Sequence, residues 1–183
     1  MEPVTGTVRL ASPDSVDTDE LAAVAARTFP LACPPSIARE NVASFIDTNL
    51  SAARFAEYLT DPDRVILTAQ HDDRIVGYTM VVNGVGDDPD VARAVDVRPT
   101  AELSKMYVVP DFHGGGLSAM LMKHAVGAVA DWHVRSMWLG VNQENVRAQR
   151  FYTKHGFRIS GTRTFRVGAD LREHDYVMVR ELS

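Results

Sequence analysis

Three glycines in a row, Gly114, Gly115 and Gly116, are the clearest chemical signal in this chain. They follow a β-branched run that ends at Pro110 and precede the helix-forming run LSAMLMKHAVGAVADW. A strand that passes through small residues into a helix exposes first-turn N–H groups that have no partner within the helix. The positive end of the helix dipole faces the same way, so the arrangement suits a phosphate. Alone, the glycines equally describe a loose surface turn. Two phosphate binders are excluded by their neighbours. A Walker loop puts Lys-Ser or Lys-Thr after its last glycine, where this chain has Leu117-Ser118. A dinucleotide fingerprint needs GxGxxG and a later acidic ribose partner, and that spacing is absent.

A second set lies downstream in NQENVRAQRFYTKHGF. Asn145, Ala148 and Tyr152 are separated by three and then four residues, which places them on one face of a helix. They offer an amide, a gap and a phenol to a ligand. An amphipathic helix with a core tyrosine has the same spacing.

These residues need elements to hold them. TVRLA reads as a first strand, and SPDSVDTDELAAVAARTF as a helix with two overlapping start signals, Ser12-Pro13 and Asp17. PLACPP, residues 30–35, reads as a breaker. Two further helices are expected in SIARENVASFIDTNL and SAARFAEYLTDP. RVILTAQ and RIVGYTMVV flank His71-Asp72-Asp73 as a hairpin. Residues 83–101 form a long acidic connection. ELSKMYVV is then a strand, followed after the glycines by a helix to about His133. SMWLGV reads as a buried strand and Gln143 to His155 as a helix closed by Gly156. FRISGTRTFRVG and REHDYVMVREL make a terminal hairpin. Antiparallel hairpins around one strand–helix–strand–helix unit predict an α+β, mixed-sheet fold. The 183 residues suit a single domain, 1–183.

A net charge of −5 argues against a nucleic-acid partner. With one cysteine, Cys33, the chain has no internal disulfide and no cysteine metal cluster; a small buried role is expected for it. No apolar run reaches membrane-spanning length, so no membrane partner is expected. The N-terminus lacks a basic stretch before an apolar core, which makes the cytoplasm the default location.

Together the two motifs are specific. VVPDFHGGGLSAML resembles the central motif of the GCN5-related N-acetyltransferase (GNAT) superfamily, a strand ending V-x-P, then Q/R-x-x-G-x-G/A, then a helix. His113 stands where Gln or Arg is usual, and Ser118 where Gly or Ala is usual. NVRAQRFYTKHGF matches the second motif, N-x-x-A-x-x-F/L-Y-x-x-x-G-F, without departure. The resemblance covers at least residues 65–182. Within the superfamily the chain looks most like the PaiA-type bacterial polyamine acetyltransferases, through NxxxFxxxNLSxxRFxxYL, ELSKMYV, MWLGV and FRVGADLREHDYVMVREL.

The resemblance implies a twisted, mostly antiparallel sheet of about seven strands, splayed in the middle and flanked by helices. It implies acetyl-CoA as cosubstrate and no metal. By analogy, Met106, Tyr107 and Val108 bind the pantetheine arm as an added strand, with a backbone N–H near Val108 for the thioester carbonyl. His113, Gly114, Gly115, Gly116, Leu117 and Ser118 would bind the pyrophosphate through backbone N–H groups. His113 would make that binding depend on pH. Asn145 would hydrogen-bond the pantetheine, and Tyr152 would protonate the leaving thiolate. Some relatives carry a basic glutamate on the strand after the glycine-rich helix, where this chain has Gly140. Glu102 is then the best candidate base, with His174 and Asp175 weaker. Asp47, Glu57, Asp87, Asp88 and Asp90 could attract a polycation, and Phe29 and Tyr58 could line an amine pocket. The expected activity is N-acetylation of a polyamine or similar small primary amine. Acetylation of a protein N-terminus or lysine, and a non-catalytic CoA-binding regulator, are the alternatives. Homodimers are frequent among such relatives.

Overall fold

The computed structural model describes residues 6–167 and 171–182. Gly168–Asp170, part of the terminal hairpin sequence, lie outside the described residues. The elements run β1 (Thr7–Leu10), α1 (Thr18–Ala32), α2 (Arg39–Asn49), α3 (Ala52–Thr60), β2 (Arg64–His71), β3 (Arg74–Asn83), α4 (Pro89–Ala94), β4 (Thr100–Val108), α5 (Leu117–Ala128), β5 (Ser136–Asn142), α6 (Val146–Lys154), β6 (Arg158–Val167) and β7 (Leu171–Glu181). All seven strands join one sheet in the order β1-β2-β3-β4-β5-β7-β6. Every neighbouring pair is antiparallel except β4 and β5. The mixed, mostly antiparallel sheet expected from the sequence is therefore present.

Of the two start signals before α1, Asp17 is the one that caps. Its Oδ1 accepts from the N–H groups of Asp19 at 2.9 Å and Glu20 at 3.2 Å. Ser12 instead closes a turn with Ser15. The helix does not stop at PLACPP but runs through Pro30 to Ala32. Proline there forfeits one N–H bond in the last turn, where the helix is about to end, and Pro34 follows the Cys33 cap. The acidic connection is also not a plain loop. Asp88 caps α4 through Asp90 N–H at 2.9 Å, and Pro89 occupies the first turn, where it needs no donor. Val91, Ala94 and Val95 then bury against Trp138, Val177 and Val179 as a small second core.

The main core lies between the sheet and α1, α3 and α5. Residues Ile75 to Val81 of β3 are buried without alternation, so both faces of this central strand are covered. Phe55 of α3 meets Tyr78 edge-on at 5.7 Å. Leu117, Leu121, Met122 and Ala125 of α5 bury into the same core.

Two features of β4 shape the site. Parallel pairing with β5 lasts only for Thr100, Ala101 and Glu102, opposite Ser136, Met137 and Trp138. Beyond Glu102 the two strands separate. On the other edge, Leu103 pairs with Val81 and Lys105 with Met80, which leaves Ser104 as an extra residue. This bulge sits where the β5 pairing ends, and a bulge bends its strand and sharpens the twist.

Candidate functional site

The separation of β4 from β5 opens a cleft of about 720 Å³. Its walls include β4 from Glu102 to Val108, the glycine turn, the start of α5, β5 from Gly140, and α6. Of the residues assigned above to CoA, to the acid or to the base, all but Gly115 and His174 line this one cleft.

The glycine turn at one end of the cleft is built as the residue types require. Gly114 and Gly116 have φ of 81° and 85°, a left-handed backbone that L side chains rarely adopt. A Cβ at either would meet nothing within 4 Å, so the turn encloses open space. Gly116 caps α5 with no side chain bonded to its first turn, leaving those N–H groups for a ligand. His113 does not present a free ring. Its Nε2 lies 2.6 Å from the Val108 carbonyl, and its Nδ1 is 3.3 Å from Arg147 Nη2. Arginine has only donors, so Nδ1 accepts and the ring proton sits on Nε2, donated to Val108. Arg147 of α6 thus places a cation beside position 113. Arg147 carries no signal in the sequence, because the motif leaves that position free.

Backbone direction decides what β4 offers. Val109 N–H donates to Val76 of β3 at 2.8 Å. Successive residues of a strand point their backbone groups to opposite edges, so those of Val108 and Met106 face the cleft. The Val108 carbonyl is taken by His113, which leaves its N–H as the open group. Tyr107 differs from the expectation. Its carbonyl faces β3, where a Cβ on Gly77 would lie 2.8 Å from it. Tyr107 therefore serves the cleft with its side chain, not its backbone, and burial pushes its phenol well above the ordinary range.

Asn145 is not on the helix face, as the spacing suggested, but at its cap. Its Oδ1 accepts from Ala148 N–H at 3.1 Å, so only its NH₂ remains for a ligand. Helix α6 begins one residue later because Asn142 and Gln149 close the preceding turn. Tyr152 packs against Phe157 at 5.8 Å, and burial pushes its phenol up to about 12. Its hydroxyl has no hydrogen-bond partner among the described residues.

The other end of the cleft carries charges. Glu102 lies on the wall. Arg163 of β6 occupies the place where a side chain on residue 140 would stand: a Cβ on Gly140 would collide with its guanidinium. Arg163 Nε donates to Asp175 Oδ2 at 3.1 Å. Burial raises the Asp175 carboxyl and Arg163 opposes that rise, but the pairing occupies Asp175 and weakens it as a base. His174 is exposed and, alternating with Glu173 and Asp175 on β7, does not reach the cleft. Glu102 is the candidate base that keeps an unengaged carboxylate on the wall.

The acidic residues offered for a polycation are placed elsewhere. Asp88 caps α4, Asp90 pairs with Arg93 and accepts from Thr164 N–H, and Glu57 pairs with Arg54 at 3.1 Å. Asp47 and Asp87 do not line the cleft. Phe29 does line it, stacked on Phe45 at 4.6 Å. Tyr58 is structural: its hydroxyl donates to the Asn49 carbonyl at 2.8 Å beneath the Arg64 guanidinium. Cys33 is half-buried on the cleft wall rather than in the core. No cluster of metal-ligating side chains occurs among the described residues. No helix among them is long and apolar enough to cross a membrane.

A splayed strand edge, an open glycine turn at a helix start and a phenol between them fit an extended thioester with a phosphate tail. Comparisons with known proteins agree. The sequence model of the Acetyltransferase (GNAT) family matches residues 27–157. The chain is 63% identical over 166 residues to an uncharacterised N-acetyltransferase of Mycobacterium bovis, covering 91% of this chain and 98% of the relative. An uncharacterised N-acetyltransferase of Mycobacterium tuberculosis shows the same identity and coverage. In fold it is similar to the PaiA N-acetyltransferase of Thermoplasma acidophilum, solved with coenzyme A. That likeness has a TM-score of 0.75 and 18% identity, over 97% of this chain and 99% of that one. The ribosomal-protein-S18-alanine N-acetyltransferase of Escherichia coli follows at 0.68 and 18%, over 98% and 95%. The chain belongs to the GNAT family, and it is an acyltransferase that uses acetyl-CoA.

Proposed function

We propose that the protein transfers the acetyl group of acetyl-CoA to a small primary amine by direct attack. The observation that carries this reading is the unpartnered Tyr152 phenol in the same cleft as the open Val108 N–H and the Glu102 carboxylate. Met106 and Val108 align the pantetheine arm along β4, and the Asn145 NH₂ bonds it from the opposite wall. The glycine turn and the first N–H groups of α5 take the pyrophosphate. Glu102 accepts a proton from the incoming ammonium, directly or through one water, and frees the nitrogen lone pair. The new N–C bond forms while the Val108 N–H stabilises charge on the carbonyl oxygen. As the C–S bond breaks, Tyr152 gives its proton to sulfur and recovers one from the acylated nitrogen. One proton is released to solvent through Glu102, and the products are the amide and the free thiol.

A polyamine is the acceptor class that the sequence resemblance favours. The carboxylates expected to draw a polycation lie away from the cleft, which weakens that preference. The test is thiol release from acetyl-CoA with spermidine, spermine, aminoglycosides, amino acids and peptide amines. Turnover with a small amine is expected. Turnover confined to protein termini or lysines would shift the reading to a protein acetyltransferase. Tight CoA binding with no turnover on any amine would replace it with a non-catalytic regulator.

A further inference from the structure

Glu102 and Lys105 stand three residues apart on β4. In a regular strand such a pair would point to opposite faces. The bulge at Ser104 changes this. Glu102 pairs with Val82 and Lys105 with Met80, two residues apart on β3 and therefore on one face. Lys105 is thereby turned from the core side to the cleft, beside Glu102.

The other charges near this end are engaged. Arg163 is bonded to Asp175, and Glu173 accepts from Ser36 and Asn142, each at 3.2 Å. Lys105 has no carboxylate bonded to it among the described residues. Its ammonium donates only to Ser104, at 3.2 Å to the carbonyl and 3.3 Å to the hydroxyl, and lies 5.8 Å from the Phe45 ring. Burial disfavours its charged form, and Glu102 is the one neighbour that favours it. A desolvated ammonium with no carboxylate bonded to it is costly, and a bulge that aims it into the cleft makes sense if a ligand supplies the bonded anion. The Phe45 ring near the Lys105 ammonium stacks on Phe29 at 4.6 Å, which gives the space beside the charges an apolar wall.

We propose that the acceptor is a zwitterion, an apolar amino acid whose amino group goes to Glu102 and whose carboxylate is held by Lys105. This rests on the amine-acetylating reading above and narrows its substrate class away from a polycation. The reaction is unchanged, and the product is the N-acetylated acid. Lys105 is a specificity residue, since it touches the carboxylate and no reacting atom.

The test has a binding arm and a turnover arm. Binding of leucine, leucinamide and spermidine to the CoA-loaded protein is measured by calorimetry, for wild type, Lys105→Met and Lys105→Arg. Thiol release is measured with the same amines. Wild type is expected to bind leucine at least about tenfold more tightly than leucinamide, in which a neutral amide replaces the carboxylate, at a pH low enough to keep both amines protonated. Lys105→Met is expected to erase that preference, mainly through KM, and Lys105→Arg to restore part of it. Melting curves confirm that the variants fold. A wild type that binds leucinamide or spermidine as well as leucine would overturn the inference. So would a Lys105→Met variant that keeps the preference. Selective leucine binding without turnover would uphold Lys105 as the carboxylate site but overturn leucine as the acceptor and count against the transferase reading.

Discussion

Replacing Tyr152 by Phe removes one oxygen and tests the acid role directly. The hydroxyl has no hydrogen-bond partner among the described residues, so its loss orphans nothing. The ring contacts with Phe151 and Phe157 persist in phenylalanine. Stability should therefore change by no more than about 0.5 kcal/mol. The kinetic effect should be larger. General acids contribute about 10²- to 10⁴-fold, and a thiolate is a good enough leaving group to need less help than an alkoxide or amide. Burial pushes the phenol from 10.0 to about 12, which makes it about a hundredfold weaker as an acid than a free tyrosine. Both arguments point to the low end, a fall in kcat of about ten- to several-hundred-fold, or about 1.4 to 3.5 kcal/mol. The assay is thiol release at saturating amine, repeated with an acetyl thioester of a more acidic thiol. A better leaving group needs no proton, so the deficit of Tyr152→Phe should shrink with it. An unchanged kcat, or a deficit indifferent to the leaving thiol, would remove Tyr152 from the role.

Alkaline stability follows from the same burial. Tyr78, Tyr107 and Tyr152 are all raised in the folded protein, so the unfolded chain loses phenol protons first, near 10.0. The stability they contribute is complete below pH 10 and falls as pH rises from there through about 12, which urea titrations at pH 8 to 11 would show. Tyr78 is buried with an unpartnered hydroxyl, so Tyr78→Phe should stabilise the protein by about 1 kcal/mol, read as a higher denaturant midpoint at constant slope. Arg147→Ala should weaken CoA binding by about tenfold, with a smaller effect on pantetheine, which lacks the pyrophosphate. His113→Ala should weaken CoA binding by about as much as Arg147→Ala, and the double variant by little more, because the ring holds the Arg147 guanidinium in place; fully additive losses would show that the two residues act separately.

Residue types and spacing make part of the site legible on their own. The glycine turn is readable because a left-handed backbone leaves few residue choices, and Gly114 and Gly116 are in that conformation. Tyr152 is readable because helical spacing from Ala148 survives whatever the helix packs on. Asn145 falls one position outside its expected place: cap and first helical residue differ by a backbone angle that spacing does not record. The acidic connection conceals α4, since a six-residue helix has too few turns for a periodic signal and is held by its cap and by Trp138.

By itself, the sequence determined the parts that depend on local backbone chemistry: the glycine turn between β4 and α5, every element but α4, the phenol on α6 and so the cosubstrate. Tertiary structure decided whatever depends on which face a side chain takes and what meets it across the cleft. Arg147 reaches His113 over 34 residues, and Arg163 fills the space that Gly140 leaves. The bulge at Ser104 turns Lys105 toward Glu102. Side-chain direction in a strand alternates with every residue, so one extra residue, fixed by pairing with β3 and not by local sequence, reassigns a charge from core to cleft.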